Sequence, residues 1–281
     1  MTPAPDLVLG TAQWGHAYGV TNTAGRLSDE AVRDIVAVAR EWGIREVDTA
    51  RGYGEAEERL RPYAREFAVT TKVTGAGDVE VQVESAAATL GVESLHAVLV
   101  HDWDAIDCKG HGMSVLAFGE LLDRGVIERA GVSVYDDAGL ESAIATFDAA
   151  GVPLGVVQVP ANVLDRQLDS SRLLTELTAA GAQVVVRSAF LQGVLLSAGG
   201  GLADHADVVR FRSAVESSGS SLLEVCLAHV RALPWATHVV VGVTSAAELR
   251  EIVAAWDACE PELAAAEFGS DDLELIDPRR W

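Results

Sequence analysis

The chain has 281 residues, of which 49 % are hydrophobic, 22 % charged and 6 % aromatic, a globular composition that excludes disordered, collagen-like and disulfide-built chains. Its 42 acidic against 21 basic residues leave a formal charge of −21, which disfavours nucleic acid and a polybasic membrane attachment. No apolar run nears the roughly 20 residues of a membrane span, Met1-Thr-Pro-Ala-Pro-Asp6 lacks the features of a signal peptide, and Cys108, Cys226 and Cys259 form no CxxC pair, so a cytoplasmic protein with reduced thiols is expected.

Short β-branched runs alternate with helical stretches from end to end. The first run is Leu7-Val8-Leu9. Ser28 then caps a helical segment that reaches about Trp42. Ile44–Val47 and Phe67–Thr71 follow. Asp78 opens a helix over Val79–Leu90 that stops at Gly91. The next runs are Ala97–Val100 and Ile127–Val132, after which Asp136 opens a helix that stops at Gly151. Gly155–Val157 and Gln183–Val186 come next, and Gly199-Gly200-Gly201 reads as a loop. His238–Val241 is the last run; Thr244 or Ser245 opens a helix toward Trp256. Residues 257–281 read as a C-terminal extension packed outside the body of the protein.

Alternation of this kind implies parallel strands, since a parallel return needs a crossover. Eight units predict a (β/α)8 TIM barrel, with residues 1–281 as one unit. The competing doubly wound sheet calls for a Gly-rich dinucleotide fingerprint after its first strand. Gly10-Thr-Ala-Gln-Trp-Gly15 is not that fingerprint, and no phosphate-binding P-loop motif occurs.

Active sites of such barrels lie at the C-terminal ends of the strands. The residues directly after seven of the runs are Asp48, Lys72, His101, Ser133, Gln158, Arg187 and Gly242. All but the last are polar, and chance βα turns do not usually supply Lys, His, Gln and Arg together. Only two of the 21 basic residues are lysines, Lys72 and Lys109, so a lysine at a strand end stands out. Tyr53 follows Asp48 on the same loop, flanked by Gly52 and Gly54, which let the backbone turn tightly. A phenol is a weak acid near pH 7. A neighbouring ammonium lowers its pKa, and a carboxylate holds the ammonium in place. An imidazole orients a carbonyl oxygen. The set suits protonation of an oxygen that is gaining negative charge, with hydride from a nicotinamide as the partner chemistry.

The seven histidines form neither His-x-His nor His-Glu-x-x-His, so no metal site is expected. Trp14, Tyr18 and Trp103 sit on loops after the first and fourth runs. They read equally as walls of a substrate pocket or as residues packed under loops. The acidic surface calls for a local basic patch if an anionic cofactor binds, with Arg187, Arg210 and Arg212 as candidates.

These residues resemble the aldo-keto reductase superfamily. The likeness is carried by Leu9-Gly-Thr11, Asp48-Thr-Ala-x-x-Tyr53-Gly-x-x-Glu58, Thr71-Lys72, Val100-His101-Asp102, Gly131-Val-Ser133, Gln158-Val-Pro-Ala-Asn162, Arg187-Ser188 and the segment from Gly242. The resemblance implies a tetrad of Asp48, Tyr53, Lys72 and His101. It implies carboxamide contacts at Ser133 and Gln158, and packing of Arg187 on the nicotinamide ring. Leu191, Gln192 and Gly193 would then lie near the pyrophosphate, and Thr244, Ser245, Glu248 and Glu251 near the adenosine. Gly10, Thr11 and Ser188 complete the implied cofactor set. Two positions depart from the family pattern. Val134 stands where an Asn is common, and Gly242–Glu248 carries no Lys or Arg to receive a 2′-phosphate. Glu248 is suited instead to a free ribose hydroxyl. The implied cofactor is NADPH, the family default, with NAD (NADH) as the contender. The implied partner is a small-molecule carbonyl or alcohol substrate. Two other readings stay open: a cofactor-binding regulatory protein of the same fold with little turnover, and a Schiff-base aldolase built on Lys72.

Overall fold

The computed structural model describes residues 4–75, 77–105, 108–258 and 268–281. The eight expected runs are strands: β1 (Asp6–Gly10), β2 (Glu46–Asp48), β3 (Ala68–Val73), β4 (Leu95–Val100), β5 (Ile127–Ser133), β6 (Leu154–Pro160), β7 (Gln183–Arg187) and β8 (His238–Gly242). They close in chain order into one barrel. Every pairing is parallel, and β8 returns to β1 with Gly242 opposite Gly10.

Valine-rich strands suit this position because both faces of each strand are covered. Side chains alternate across a strand. One series, including Val47, Val69, Val98, Val132, Val157, Val186 and Val241, joins the main core under the helices. The other, Ala97, Leu99, Val156 and Val185 with Val240, forms a separate cluster that fills the lumen. The lumen series ends on Asp48, Lys72, Ser133, Gln158, Arg187 and Gly242. Alternation thus turns the strand-end polar residues inward at one rim. Gly131 is required where the β5–β6 register shifts, since a Cβ there would lie 2.0 Å from the Val156 carbonyl oxygen.

The helix ends follow the sequence signals. Ser28, Asp78 and Asp136 accept from the amides of Ala31, Val81 and Gly139 at 3.2, 3.1 and 2.9 Å. Each thereby satisfies an orphan donor of the first turn. Gly91 and Gly151 close the helices over Val79–Leu90 and Asp137–Ala150 in the left-handed region, φ +71° and +66°.

The described part of the C-terminal segment packs against the loops outside the barrel. Residues 257 and 258 still belong to the helix Ala246–Ala258, and residues 259–267, with Cys259, lie outside the described residues. Phe268, Leu275 and Ile276 pack into a second core with Val163, Leu164, Val194 and Phe211, against the loops after β6 and β7. From there the tail reaches the rim, where Arg279 donates to Asp104 at 3.0 Å and stacks 3.7 Å above the Tyr135 ring. Among the described residues no helix is long and apolar enough to cross a membrane.

The opposite rim is closed by a polar network. His238 meets Glu46 at 3.2 Å, His96 meets Glu128 at 3.1 Å, and Gln183 bridges the two histidines. Burial alone would raise the Glu46 pKa, but the His238 hydrogen bond and the charges of His238, His96 and Arg129 bring it below 4.5. A carboxyl with a depressed folded pKa stabilises the fold above its unfolded pKa, and that contribution is lost as pH falls through the folded value. In urea unfolding, Glu46→Gln is therefore expected to lose less stability than the parent between pH 6 and pH 3. An equal loss in both proteins would detach Glu46 from the acid response.

Candidate active site

The inward-facing rim holds a cavity of about 710 Å³. Asp48 ends β2 and Lys72 lies in β3. The register places Asp48 beside Thr70, two residues before Lys72 on the same face. Lys72 is 1 % exposed and Asp48 4 %. All three ammonium donors are engaged: Nζ donates to Asp48 Oδ1 at 2.5 Å, to the Thr49 carbonyl at 3.1 Å and to Tyr53 Oη at 3.3 Å. The second Asp48 oxygen accepts from Gln158 Nε2 at 2.8 Å, across the barrel. His101 follows β4 and meets the Tyr53 ring edge-on, 5.5 Å between centroids.

The electrostatics assign states to these groups. Burial would lower the Lys72 pKa, but Asp48 and then Tyr53 outweigh it and hold the amine protonated above its ordinary value. An engaged ammonium has no lone pair to attack a carbonyl, which removes the basis for Schiff-base chemistry at Lys72. For Tyr53 the expected lowering is reversed in sum. Burial pushes the phenol up, and the opposing charge of Lys72 does not fully cancel burial and Asp48. Tyr53 therefore keeps its proton at neutral pH. Because its oxygen accepts from Lys72, its own hydrogen is free to point into the cavity. Burial, and then the charges of Lys72 and Arg187, lower His101 to about 3, so the imidazole is neutral. A second phenol, Tyr18, also faces the cavity. Although 41 % of that residue is exposed, lost solvation and the nearby Tyr53 push it up to about 12. It has no ammonium in contact, and this separates the two tyrosines.

The loop that carries Tyr53 is fixed from several sides. Glu57, 2 % exposed, accepts from Thr71 Oγ1 at 2.7 Å and from Arg51 at 2.6 Å. It ties the loop to the strand that carries Lys72. Glu58, quoted in the family-like block, is exposed instead. Gly54 adopts φ +57°, as the expected tight turn requires. Gly15 packs so closely on this loop that a Cβ would lie 1.6 Å from the Tyr53 carbonyl oxygen.

The remaining expected residues divide. Gly10, Thr11, Ser133, Gln158, Arg187 and Ser188 line the cavity, as do Gln192, Gly193, Gly242, Thr244, Glu248 and Glu251. Leu191 does not: it is buried in the second core. Ser245 does not line it either, since its hydroxyl accepts from the Glu248 amide at 3.2 Å and caps the last helix. Trp14 and Trp103 are 0 % and 1 % exposed and lie under loops, away from the cavity. The bulk of an indole favours burial where a loop can cover it, and Trp103 stacks on His111 with centroids 3.8 Å apart. Arg210 pairs with Asp207 at 3.0 Å, and Arg212 donates to the Ser197 carbonyl at 3.0 Å. Neither lines the cavity, so of the basic patch only Arg187 does. Sequence reasoning missed Gln13, Tyr135 and Arg279. Tyr135 lies two residues past the β5 end, a signal that was present. Its ring is held between Arg187 and Arg279, at 4.1 and 3.7 Å.

The cavity suits a dinucleotide. It runs from Tyr53 and His101 past the β1 and β8 ends to Glu248 and Glu251. Gln13 in its wall is 9 % exposed and packs against Gly242, and its Oε1 has no partner among the described residues. Leu191, Gln192 and Gly193 take φ +48°, +53° and +92°. Non-glycine residues held in the left-handed region store strain that is typical of ligand loops, and the Leu191 and Gly193 amides are tied to the Ser188 and Phe190 carbonyls at 2.9 Å. A Cβ on Gly193 would lie 2.0 Å from Thr21 Oγ1, because the loops after β1 and β7 meet over the channel. Among the described residues no cluster of His, Cys, Asp and Glu suits a metal.

The sequence profile of the Aldo/keto reductase family matches residues 6–268. An aldo-keto reductase from Bacillus halodurans in its holo form superposes with a TM-score of 0.74 at 18 % identity, over 94 % of this chain and 90 % of that one. A Pseudomonas aeruginosa structure assigned to the aldo-keto reductases superposes at 0.69 with 21 % identity, over 91 % of each chain. At these identities the structural likeness is one of fold. No curated protein sequence matches the chain.

The Gly15–Tyr53 contact is open to test. Gly15→Ala is expected to lose about 1–3 kcal/mol in urea unfolding, as overpacking does. Gly112→Ala, a helix position with nothing within 4 Å of the added Cβ, is expected to gain about 0.5–1 kcal/mol. Equal stability of the Gly15 variant and the parent would remove this support for the loop.

Proposed function

Starting from the chain's membership of the aldo/keto reductase family, a family of NAD(P)H-dependent carbonyl oxidoreductases, we propose that it reduces an aldehyde or ketone, or oxidises the corresponding alcohol, with Tyr53 as the general acid. The observation that carries this reading is the buried chain from Asp48 through Lys72 to the Tyr53 hydroxyl, which opens on a cavity long enough for a dinucleotide. A nicotinamide bound in the channel would supply hydride to the carbonyl carbon. Everything else is the work of the chain. Neutral His101 donates to the carbonyl oxygen and fixes its direction. As negative charge gathers on that oxygen, Tyr53 delivers its proton there. Lys72, held charged by Asp48, stabilises the phenolate left behind, which makes the transfer favourable. Asp48 has no contact with the reacting atoms in this scheme and works through Lys72. Ser133 and Gln158 line the floor where a carboxamide would lie, and Arg187 faces the same end.

The intact network weighs against a purely regulatory protein. Tyr53→Phe is expected to lower kcat by about 10²–10⁴-fold and to leave the dinucleotide Kd within about twofold of the parent. Normal turnover in that variant would refute the assignment. Bound dinucleotide that no aldehyde or ketone of a broad panel oxidises would favour the regulatory reading instead.

The pH profile is a second test. Reduction needs a protonated Tyr53, whose pKa lies above the ordinary 10.0, and a neutral His101, lowered to about 3. The rate of reduction is expected to stay flat across about pH 5 to 9 and to fall only on the alkaline side. An inflection between pH 6 and 7 that vanishes in His101→Gln would contradict the neutral imidazole.

A further inference from the structure

The end of the channel remote from Tyr53 is acidic. It is formed by the end of β8 and the first turn of the helix Ala246–Ala258. There both oxygens of the Glu248 carboxylate are engaged, with the Thr244 amide and the Thr244 hydroxyl each donating at 2.6 Å. The Ser245 hydroxyl takes the Glu248 amide at 3.2 Å. A helix start with free amides is the natural seat for a phosphate. Here the Thr244 and Glu248 amides are already taken, by a carboxylate and a hydroxyl. Glu251, one turn further along, lines the same end of the cavity.

No cation offsets these two carboxylates. Among the described residues the cationic side chains lining the cavity are Arg187 and Arg279, and both lie against Tyr135 at the other end. Arg250 is two positions from Glu248 on the helix, so the two do not share a face. Arg212 is turned to the Ser197 and Ala203 carbonyls.

We infer that Glu248, supported by Glu251, makes this an NAD(H) site that excludes the 2′-phosphate of NADP(H). The inference rests on the proposed function, because it presumes a dinucleotide in the channel. Each Glu248 oxygen has accepted one hydrogen bond and retains acceptor capacity, which fits the 2′- and 3′-hydroxyls of an unphosphorylated ribose. A 2′-phosphate in the same place meets two carboxylates and, among the described residues, no cation. Like charges set face to face are a strong means of rejecting a wrong partner. Thr244 holds the carboxylate in place before any ligand arrives, so the rejection does not wait for a rearrangement.

The test is equilibrium binding of NADH and NADPH to the purified full chain, followed by calorimetry or by quenching of tryptophan fluorescence. NADH is expected to bind about 10²-fold more tightly than NADPH at low salt, and the gap is expected to narrow as salt screens the carboxylates. Glu248→Gln is expected to tighten NADPH, weaken NADH and shrink the gap at least tenfold. Glu251→Gln, a change on the helix surface, is expected to shrink it by a smaller factor and guards against misfolding of the first variant. NADPH binding as tightly as NADH to the parent would overturn the inference and leave the proposed function standing. A gap unchanged by salt and by both variants would overturn the assignment to these carboxylates. Failure of both dinucleotides to bind would refute this inference and the proposed function together.

Discussion

The site is organised by one buried charge. A lysine ammonium at 1 % exposure is untenable alone, because its desolvation is costly unless it is paired and fully hydrogen-bonded. Lys72 meets that demand with one carboxylate, one carbonyl and one phenol. Its three donors radiate from a single point. The planar fork of an arginine could not reach Asp48, Thr49 and Tyr53 at once, which explains a lysine here in a chain that otherwise favours arginine. The requirement also propagates. Asp48 must be ionised to hold Lys72, and Gln158 from β6 satisfies its other oxygen. The barrel must therefore be closed and in register before the charge is stable, and fold and site depend on the same contact.

That dependence makes Tyr53 a restrained acid. Burial raises its pKa and Lys72 opposes the rise. In the resting site the phenol keeps its proton. In the proposed reaction the ammonium shows its value only once charge appears on the phenolate, the moment at which a proton is being given up. The neighbour therefore favours the product of transfer more than the starting state, and catalysis needs this asymmetry.

The sequence disclosed the barrel because the rule that makes a strand is local. Each valine-rich run needs only its own alternation to be recognised, and eight runs separated by capped helices leave few topologies. The same alternation disclosed the rim residues, since a polar side chain that ends an inward series has one place to go. What the sequence hid is what depends on packing at a distance. Trp14 and Trp103 sit on rim loops yet turn under them, because an indole gains more from cover than from a cavity. Glu57 and Glu58 are adjacent in the chain, and only the position of Thr71 and Arg51 in space decides which is buried. Arg279 lies 144 residues from Tyr135 along the chain, and no periodicity marks a tail residue that folds back to the rim.

The charge of the molecule takes its sense from the two ends of the channel. A chain of −21 repels anions at long range, so affinity for a dinucleotide cannot come from a general field and must come from short-range donors. The strained loop at Leu191–Gly193 overhangs the channel, with Gln192 and Gly193 in its wall. Arg187 makes no ion pair among the described residues and faces the end where Tyr53 waits. Carboxylates stand at the opposite end. For the dinucleotide of the proposed function, with an unphosphorylated ribose at one end and a nicotinamide at the other, that order of charges fits one direction of binding. On the proposed function, the polarity that selects the ligand would also orient it, bringing the nicotinamide and the Tyr53 phenol to the same end.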